Sequence, residues 1–158
     1  MQKPLLLVGL LAATATLGPP HAMAKAFQFS KQLTPEQSAC LKVVISISHW
    51  GYSPQSRAEM PDIAQVATVQ LSDRRRAYVF VFEADGWCGT AGCPLLIGEL
   101  RHDGICHLLY DGTGDTGFTV LHRRDHGYRR IYAPCEARFD GRHYQQLHEE
   151  CPSPGVPR

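Results

Sequence analysis

The chain has 158 residues, of which 44% are hydrophobic and 20% are charged, and its 16 basic and 15 acidic residues leave a formal net charge of +1. This balance is typical of a globular protein, and it gives no electrostatic support for binding to nucleic acid or to an anionic membrane. Arginines are dense at residues 74–76, 123–124 and 129–130. Acidic residues stand among them, so we interpret these clusters as solvated turns and strand faces.

The first 24 residues have the pattern of a secretory signal peptide. Lys3 is followed by an apolar run over residues 4–17, and residues 22–24, Ala-Met-Ala, match a small-x-small cleavage site. The run is shorter than the roughly 20 apolar residues that span a bilayer. The first cysteine is Cys40, too far along the chain for a lipoprotein anchor. We expect cleavage after Ala24, no membrane span in the mature chain, and a periplasmic or secreted protein.

One helix is predicted at the start of the mature chain. Thr34, Pro35 and Gln37 form the signature of a capping box, with proline at the first helical position. The helix should therefore begin near Pro35. The β-branched run over residues 43–47 weakens helix propensity, and the polar segment that ends at Pro61 resembles a loop.

From Ile63 onward the pattern is that of β-strands, with short apolar runs separated by turn residues. Asp-Gly at 103–104 and at 140–141 predicts two hairpins with type I′ turns, and a third hairpin is expected through residues 123–126. Seven or eight strands would follow the helix. We expect an α+β, mainly β fold: an N-terminal helix packed on an antiparallel β-meander that forms a curled sheet, small barrel or sandwich. One globular domain would cover residues 25–151, with an irregular tail at 152–158.

The cysteines all lie in the mature region, where an even number predicts a disulfide framework. Their spacing suggests one short pair across a glycine turn and two longer ones. The proposed pairs are Cys88–Cys93, Cys106–Cys135 and Cys40–Cys151.

The segment GWCGTAGCPLLIG, residues 86–98, has two other possible interpretations. A thioredoxin-type redox site needs Cys-x-x-Cys at a helix N-terminus, whereas Cys88 and Cys93 are five positions apart and precede a strand pattern. A zinc site needs further ligands, for which Cys106 with His102 or His107 can be considered. Disulfides are favoured over metal-bound thiolates in an oxidising compartment. We therefore interpret the segment as a disulfide clamp on a tight turn.

A resemblance supports the same interpretation. The stretch YVFVFEADGWCGTAGCPLLIG, followed by HGYRRIY and RFDGRHY, is similar to a group of uncharacterised exported bacterial small β-rich proteins. In that group a WCGTxGCP turn interrupts a β-meander and a terminal wDGxxY hairpin closes it. The similarity covers roughly residues 63–144. Residues 72–75, Ser-Asp-Arg-Arg, replace the Asp-rich turn common in the group, so no ion site is carried over. The resemblance implies the fold and export, and it implies no mechanism.

The sequence contains no nucleophile elbow and no phosphate-binding glycine loop. Histidines 122, 126, 143 and 148 are interpreted as polar residues of strand faces, and the segment 111–117, DGTGDTG, as a loop rather than a calcium site. We expect no cofactor and no metal.

Two functional hypotheses follow. The first is a non-catalytic, disulfide-stabilised cell-envelope protein, a binding or inhibitor-like module for an unknown protein or envelope ligand, which Trp87 and Thr90 would face. For Trp87 the alternative is core packing beside the Cys88–Cys93 disulfide, and we favour that alternative. The alternative is a metal-dependent hydrolase that uses histidines together with Asp111, Asp115 or Asp125.

Overall fold

The computed structural model describes residues 27–49 and 53–147. The predicted signal peptide, Cys151 and the predicted tail lie outside the described residues. The elements within them are, in chain order, α1 (Pro35–Ile47), α2 (Pro54–Ile63), β1 (Ala64–Val69), β2 (Ala77–Phe82), β3 (Cys93–Leu100), β4 (Cys106–Gly114), β5 (Thr119–Asp125), β6 (Tyr128–Tyr132), β7 (Glu136–Phe139) and β8 (Tyr144–Gln146).

The strands form two antiparallel meanders of four strands each, β1-β2-β3-β4 and β5-β6-β7-β8. The first sheet is covered on both faces, which is why every residue of β2 is buried. Tyr78, Phe80 and Phe82 point into a helix-side core with α1 and α2, while Val79 and Val81 point into a second core shared with the other sheet. The predicted α+β, mainly β fold with a helix packed on an antiparallel sheet is confirmed.

Helix α1 begins as the capping box predicts. The Thr34 hydroxyl accepts a hydrogen bond from the Gln37 backbone N–H, and the Gln37 side chain accepts one from the Thr34 N–H. The β-branched residues do not end the helix, because Val44 and Ile45 are buried in the helix-side core. Tertiary packing here outweighs a weak local propensity.

Helix α2 occupies a segment that the sequence analysis interpreted as a loop, and that interpretation is wrong. Ser53 caps the helix and Pro54 is its first residue. The Arg57 guanidinium donates to the Ile45 and Ser48 carbonyls at the end of α1, at 3.0 and 3.3 Å. Met60 lies fully buried in the helix-side core. These contacts to α1 stabilise a short polar helix whose own hydrophobic pattern is weak.

The hairpin turns differ from their predicted type. At Asp103-Gly104 and Asp140-Gly141 only the glycine has positive φ, so neither is a type I′ turn. Each aspartate side chain instead accepts a hydrogen bond from the backbone N–H two residues ahead. The type I′ signature, positive φ at two successive residues, occurs at His126-Gly127 between β5 and β6.

The disulfides correct two of the three proposed pairs. Cys88 and Cys93 are bonded as predicted, but Cys40 is bonded to Cys106. The proposed pairs Cys106–Cys135 and Cys40–Cys151 are therefore wrong: α1 lies across β3 and β4 and brings Cys40 directly over Cys106. Cys135 is also disulfide-bonded. These bonds indicate an oxidising, non-cytoplasmic location.

Candidate functional site

The turn between β2 and β3, residues 88–93, is closed both covalently and by backbone hydrogen bonds. We call it the clamped turn. Inside the Cys88–Cys93 disulfide, the N–H of Gly89 donates to the Gly92 carbonyl at 2.9 Å, and the reverse bond measures 3.1 Å. Gly92 has φ +104°, and a Cβ atom there would lie 2.8 Å from the Gly114 carbonyl oxygen. Glycine is therefore required at this position by conformation and by space.

The two residues predicted to face a ligand have different surroundings. Thr90 is exposed at the tip of the clamped turn, between the exposed residues Gly89 and Ala91. Trp87 is half-buried and packs against the helix-side core. The tryptophan thus anchors the base of the turn, and the tip is formed by small residues.

A groove of about 560 Å³ runs beside the clamped turn. It is lined by Gly89, Thr90, Ala91, Gly92, Thr113, Gly114, Asp115, Pro134, Cys135 and Gln146. Most of these side chains are small, so backbone groups are near the surface of the groove. A groove lined by small side chains, with backbone groups near its surface, suits an extended peptide segment.

The floor of this groove is supported by Tyr110. The buried tyrosine hydroxyl donates to the Ala133 carbonyl at 3.3 Å and accepts from the Gln146 amide at 2.7 Å. Burial raises the pKa of Tyr110 to about 12. The hydroxyl therefore stays protonated at neutral pH and fixes β4 relative to the second sheet.

The aspartates of the hydrolase hypothesis are engaged in separate local contacts. Asp111 accepts a hydrogen bond from the His49 backbone N–H, and burial raises its pKa. The Asp115 carboxylate accepts a hydrogen bond from the Gly117 backbone N–H in the loop that follows β4. Asp125 pairs with Arg130 at 2.6 Å, and this hydrogen bond lowers the pKa of Asp125. The structure does not bring the three together.

Among the described residues, His49 is the histidine that lies beside one of these carboxylates, with its Nδ1 atom 3.7 Å from Asp111. His122 and His126 are exposed on β5 and on the turn that follows it, and His143 lies beside Asp140 at 3.8 Å; His148 lies outside the described residues. Within residues 27–49 and 53–147, no three His, Cys, Asp or Glu side chains are grouped closely enough to hold a metal ion. The metal-dependent hydrolase hypothesis stays a prediction, and the positions of these histidines and aspartates give it no support.

A second surface was missed by the sequence analysis. Arg74, Arg75, Arg76 and Arg101 line a depression of about 310 Å³ between the β1–β2 loop and the end of β3. We call it the arginine groove. The arginines at residues 74–76 were interpreted from the sequence as solvated, but Arg75 is half-buried.

Beneath the arginine groove lies a completely buried carboxylate, Glu99. The Tyr128 hydroxyl lies 2.8 and 2.9 Å from its two oxygens, and the Arg75 guanidinium donates to it at 3.1 Å. The Arg101 Nε atom is 4.0 Å away. The hydrogen bond to Glu99 raises the pKa of Arg75, and burial raises that of Tyr128. Both partners therefore remain protonated around the carboxylate.

A signal for this site was present in the sequence. Glu99 is the only charged residue in the apolar run PLLIGEL. Charged side chains are almost never fully buried unless they are paired. A lone acid in an otherwise apolar strand therefore predicts a partner base nearby, and the triple arginine at residues 74–76 supplies it.

No protein-family model, curated protein or solved structure shows a significant match to this chain. The resemblance to exported proteins with a WCGTxGCP turn stays a prediction. Among the residues that the structure describes, no helix is long and apolar enough to cross a membrane.

Proposed function

We propose that this protein is an exported, disulfide-stabilised, non-catalytic binding module of the bacterial cell envelope, which acts in the periplasm or outside the cell. Its binding surface would be the clamped turn with the groove beside it. The observation that carries the proposal is a row of exposed residues, 88–91, on a turn closed by one disulfide and two backbone hydrogen bonds.

The rigidity of the clamped turn favours binding, because little conformational entropy is lost when the turn contacts a partner. Ordering a flexible loop on binding costs free energy, about 0.5–1.5 kcal/mol for each mobile side chain that is immobilised. The clamped turn is already held in one conformation, and Trp87 fixes its base against the helix-side core. An inhibitor that inserts a loop into an enzyme cleft benefits from the same arrangement. We therefore favour a protein partner, such as a wall-degrading enzyme, over a small ligand.

Site-specific photo-crosslinking of the exported protein tests the proposal. A benzophenone amino acid is placed at Thr90, and a control carries it at Lys42, which is exposed on α1. We expect a discrete crosslinked species from Thr90 that is missing from Lys42. The yield should fall in the Cys88→Ser/Cys93→Ser background, since the turn is then no longer preorganised. Absence of any product from Thr90, or the same products from both positions, would contradict the proposal.

A further inference from the structure

The arginine groove has more positive charge than its own fold requires. Arg74, Arg75, Arg76 and Arg101 line the groove, and Arg124 and Arg129 lie near its Asp73. These cations outnumber the three carboxylates of the same region. Glu99 is satisfied from beneath by Arg75 and Tyr128, and Asp73 is paired with Arg124 at 2.6 Å. The remaining acid, Glu36, lies 3.7 Å from Arg76 and accepts a hydrogen bond from the Tyr78 hydroxyl.

Positive charge is thus left over, and it is concentrated at Arg74 and Arg101. Arg74 is exposed and makes no ion pair within 4 Å among the described residues. Of the carboxylates in the described part of the chain, Arg101 comes within 4 Å of Glu99 alone, at 4.0 Å, and that carboxylate is already bound more closely by two other groups. The Arg124 hydrogen bond lowers the pKa of Asp73, so its carboxylate remains committed to Arg124 near neutral pH.

The buried carboxylate also fixes one of the cations in place. Burying a charged group costs several kcal/mol unless it is paired and hydrogen-bonded. One arginine and one tyrosine satisfy Glu99. Stability of the buried pair therefore explains Arg75, but it does not explain the additional arginines that line the same depression and repel one another. Glu99 and Tyr128 hold the Arg75 guanidinium in place where it lines the groove. Its orientation is therefore fixed before any ligand binds.

We propose that the arginine groove is a binding site for a doubly charged phosphate group, as carried by inorganic phosphate or by a phosphate monoester. Arginine presents a planar fork of N–H donors that matches the oxygens of a phosphate, and it keeps its charge at all physiological pH values. The guanidinium groups of Arg74 and Arg101, which are not neutralised by a close carboxylate, would both be compensated by one phosphate dianion. The site is separate from the clamped turn and does not depend on the proposed function.

Isothermal titration calorimetry at pH 7.5 and low ionic strength tests this assignment. The probes are inorganic phosphate, glycerol 3-phosphate and, as a dicarboxylate of similar charge, succinate. We expect saturable binding of a phosphate probe, with one site per chain, that weakens as salt is added. Tighter binding of glycerol 3-phosphate than of inorganic phosphate would identify a monoester as the ligand, and the reverse order would identify the free anion.

Variants locate the site. Arg74→Gln and Arg101→Gln should each weaken phosphate binding at least tenfold, and thermal melts will show that both remain folded. Arg142→Gln is the matched control, because Arg142 is an exposed arginine on the β7–β8 turn. The phosphate affinity of this variant should stay within twofold of the wild-type value. The proposal is overturned by no saturable phosphate binding, by succinate binding of equal strength, or by equal losses in all three variants.

Discussion

The sulfur atom of Cys40 lies directly above Gly98, so that a Cβ atom added to the glycine would be 2.6 Å from it. The sulfur of Cys106 would be 2.7 Å from the same atom. The disulfide that joins α1 to β4 therefore crosses β3 at the one position where that strand has no side chain. Absence of a side chain at residue 98 allows α1 to pack closely on the sheet.

Gly98→Ala should consequently lower the free energy of unfolding by about 1–3 kcal/mol, since an added methyl group has to displace the disulfide or the helix. Gly89→Ala is the matched control, because a Cβ atom there meets nothing within 4 Å. Its effect should stay within about 0.5 kcal/mol. Urea denaturation of both variants gives the comparison, and equal stability of the two would refute the close packing at Gly98.

The two disulfides whose cysteines both lie within the described residues should differ in their contribution to stability. Cys40–Cys106 spans 66 positions and Cys88–Cys93 spans five. In the chain-entropy model, their removal by paired serine substitutions should cost about 4 and about 2 kcal/mol, respectively. Denaturation with the remaining disulfides kept oxidised measures both values. A larger loss for the short clamp would mean that native-state contacts, rather than loop closure, dominate.

Tyr128→Phe tests the hydrogen bonds to the buried Glu99. Removing a hydroxyl that donates to a buried charge should cost about 1.5–3 kcal/mol. Tyr144→Phe is the comparison, because the Tyr144 hydroxyl donates to a neutral acceptor, the Arg129 carbonyl, at 2.6 Å. That change should cost only about 0.5–1.5 kcal/mol. If both variants lose the same stability, the hydrogen bonds from Tyr128 to the buried Glu99 contribute no more than a hydrogen bond to a neutral acceptor.

The β7–β8 turn should contribute to stability in a way that depends on pH. Hydrogen bonds from the backbone N–H groups of His143 and Arg142 lower the pKa of Asp140 from 3.8 to about 2. Because the folded-state pKa is depressed, this contribution is fully present above about pH 4 and is lost as the pH falls toward 2. NMR titration of the carboxyl group should give a midpoint near 2. In Asp140→Asn the pH dependence over this interval should be smaller, and a midpoint near 3.8 in the wild type would contradict the turn geometry.

Local signals in the sequence predicted local structure. The capping box at Thr34 marked the start of α1, and the five-residue spacing marked the Cys88–Cys93 pair. Features that depend on distant contacts were missed. Helix α2 depends on Arg57 reaching the end of α1, and the Cys40–Cys106 pair depends on how α1 crosses the sheet.

The candidate sites divide in the same way. Thr90 is exposed at the tip of the clamped turn, and Trp87 packs against the helix-side core, as the favoured alternative for this residue had it. That either side chain faces a ligand stays a prediction. The arginine groove joins Arg75 to Glu99, which are 24 positions apart in sequence. The lone acid in an apolar strand signals that a basic partner exists, but the fold is needed to show that Arg75 is that partner.

Export and disulfide formation are the central claim of this account, and intact-mass analysis of the protein recovered from the periplasm of a Gram-negative host tests it most directly. Mass is measured before and after reduction, with alkylation of thiols, and non-reduced peptides are mapped. We predict a chain that starts at Lys25, no thiol available before reduction, and linked peptides containing Cys40 with Cys106 and Cys88 with Cys93. A chain that retains residues 1–24, or free thiols at Cys88 and Cys93, would contradict the exported, clamped binding module.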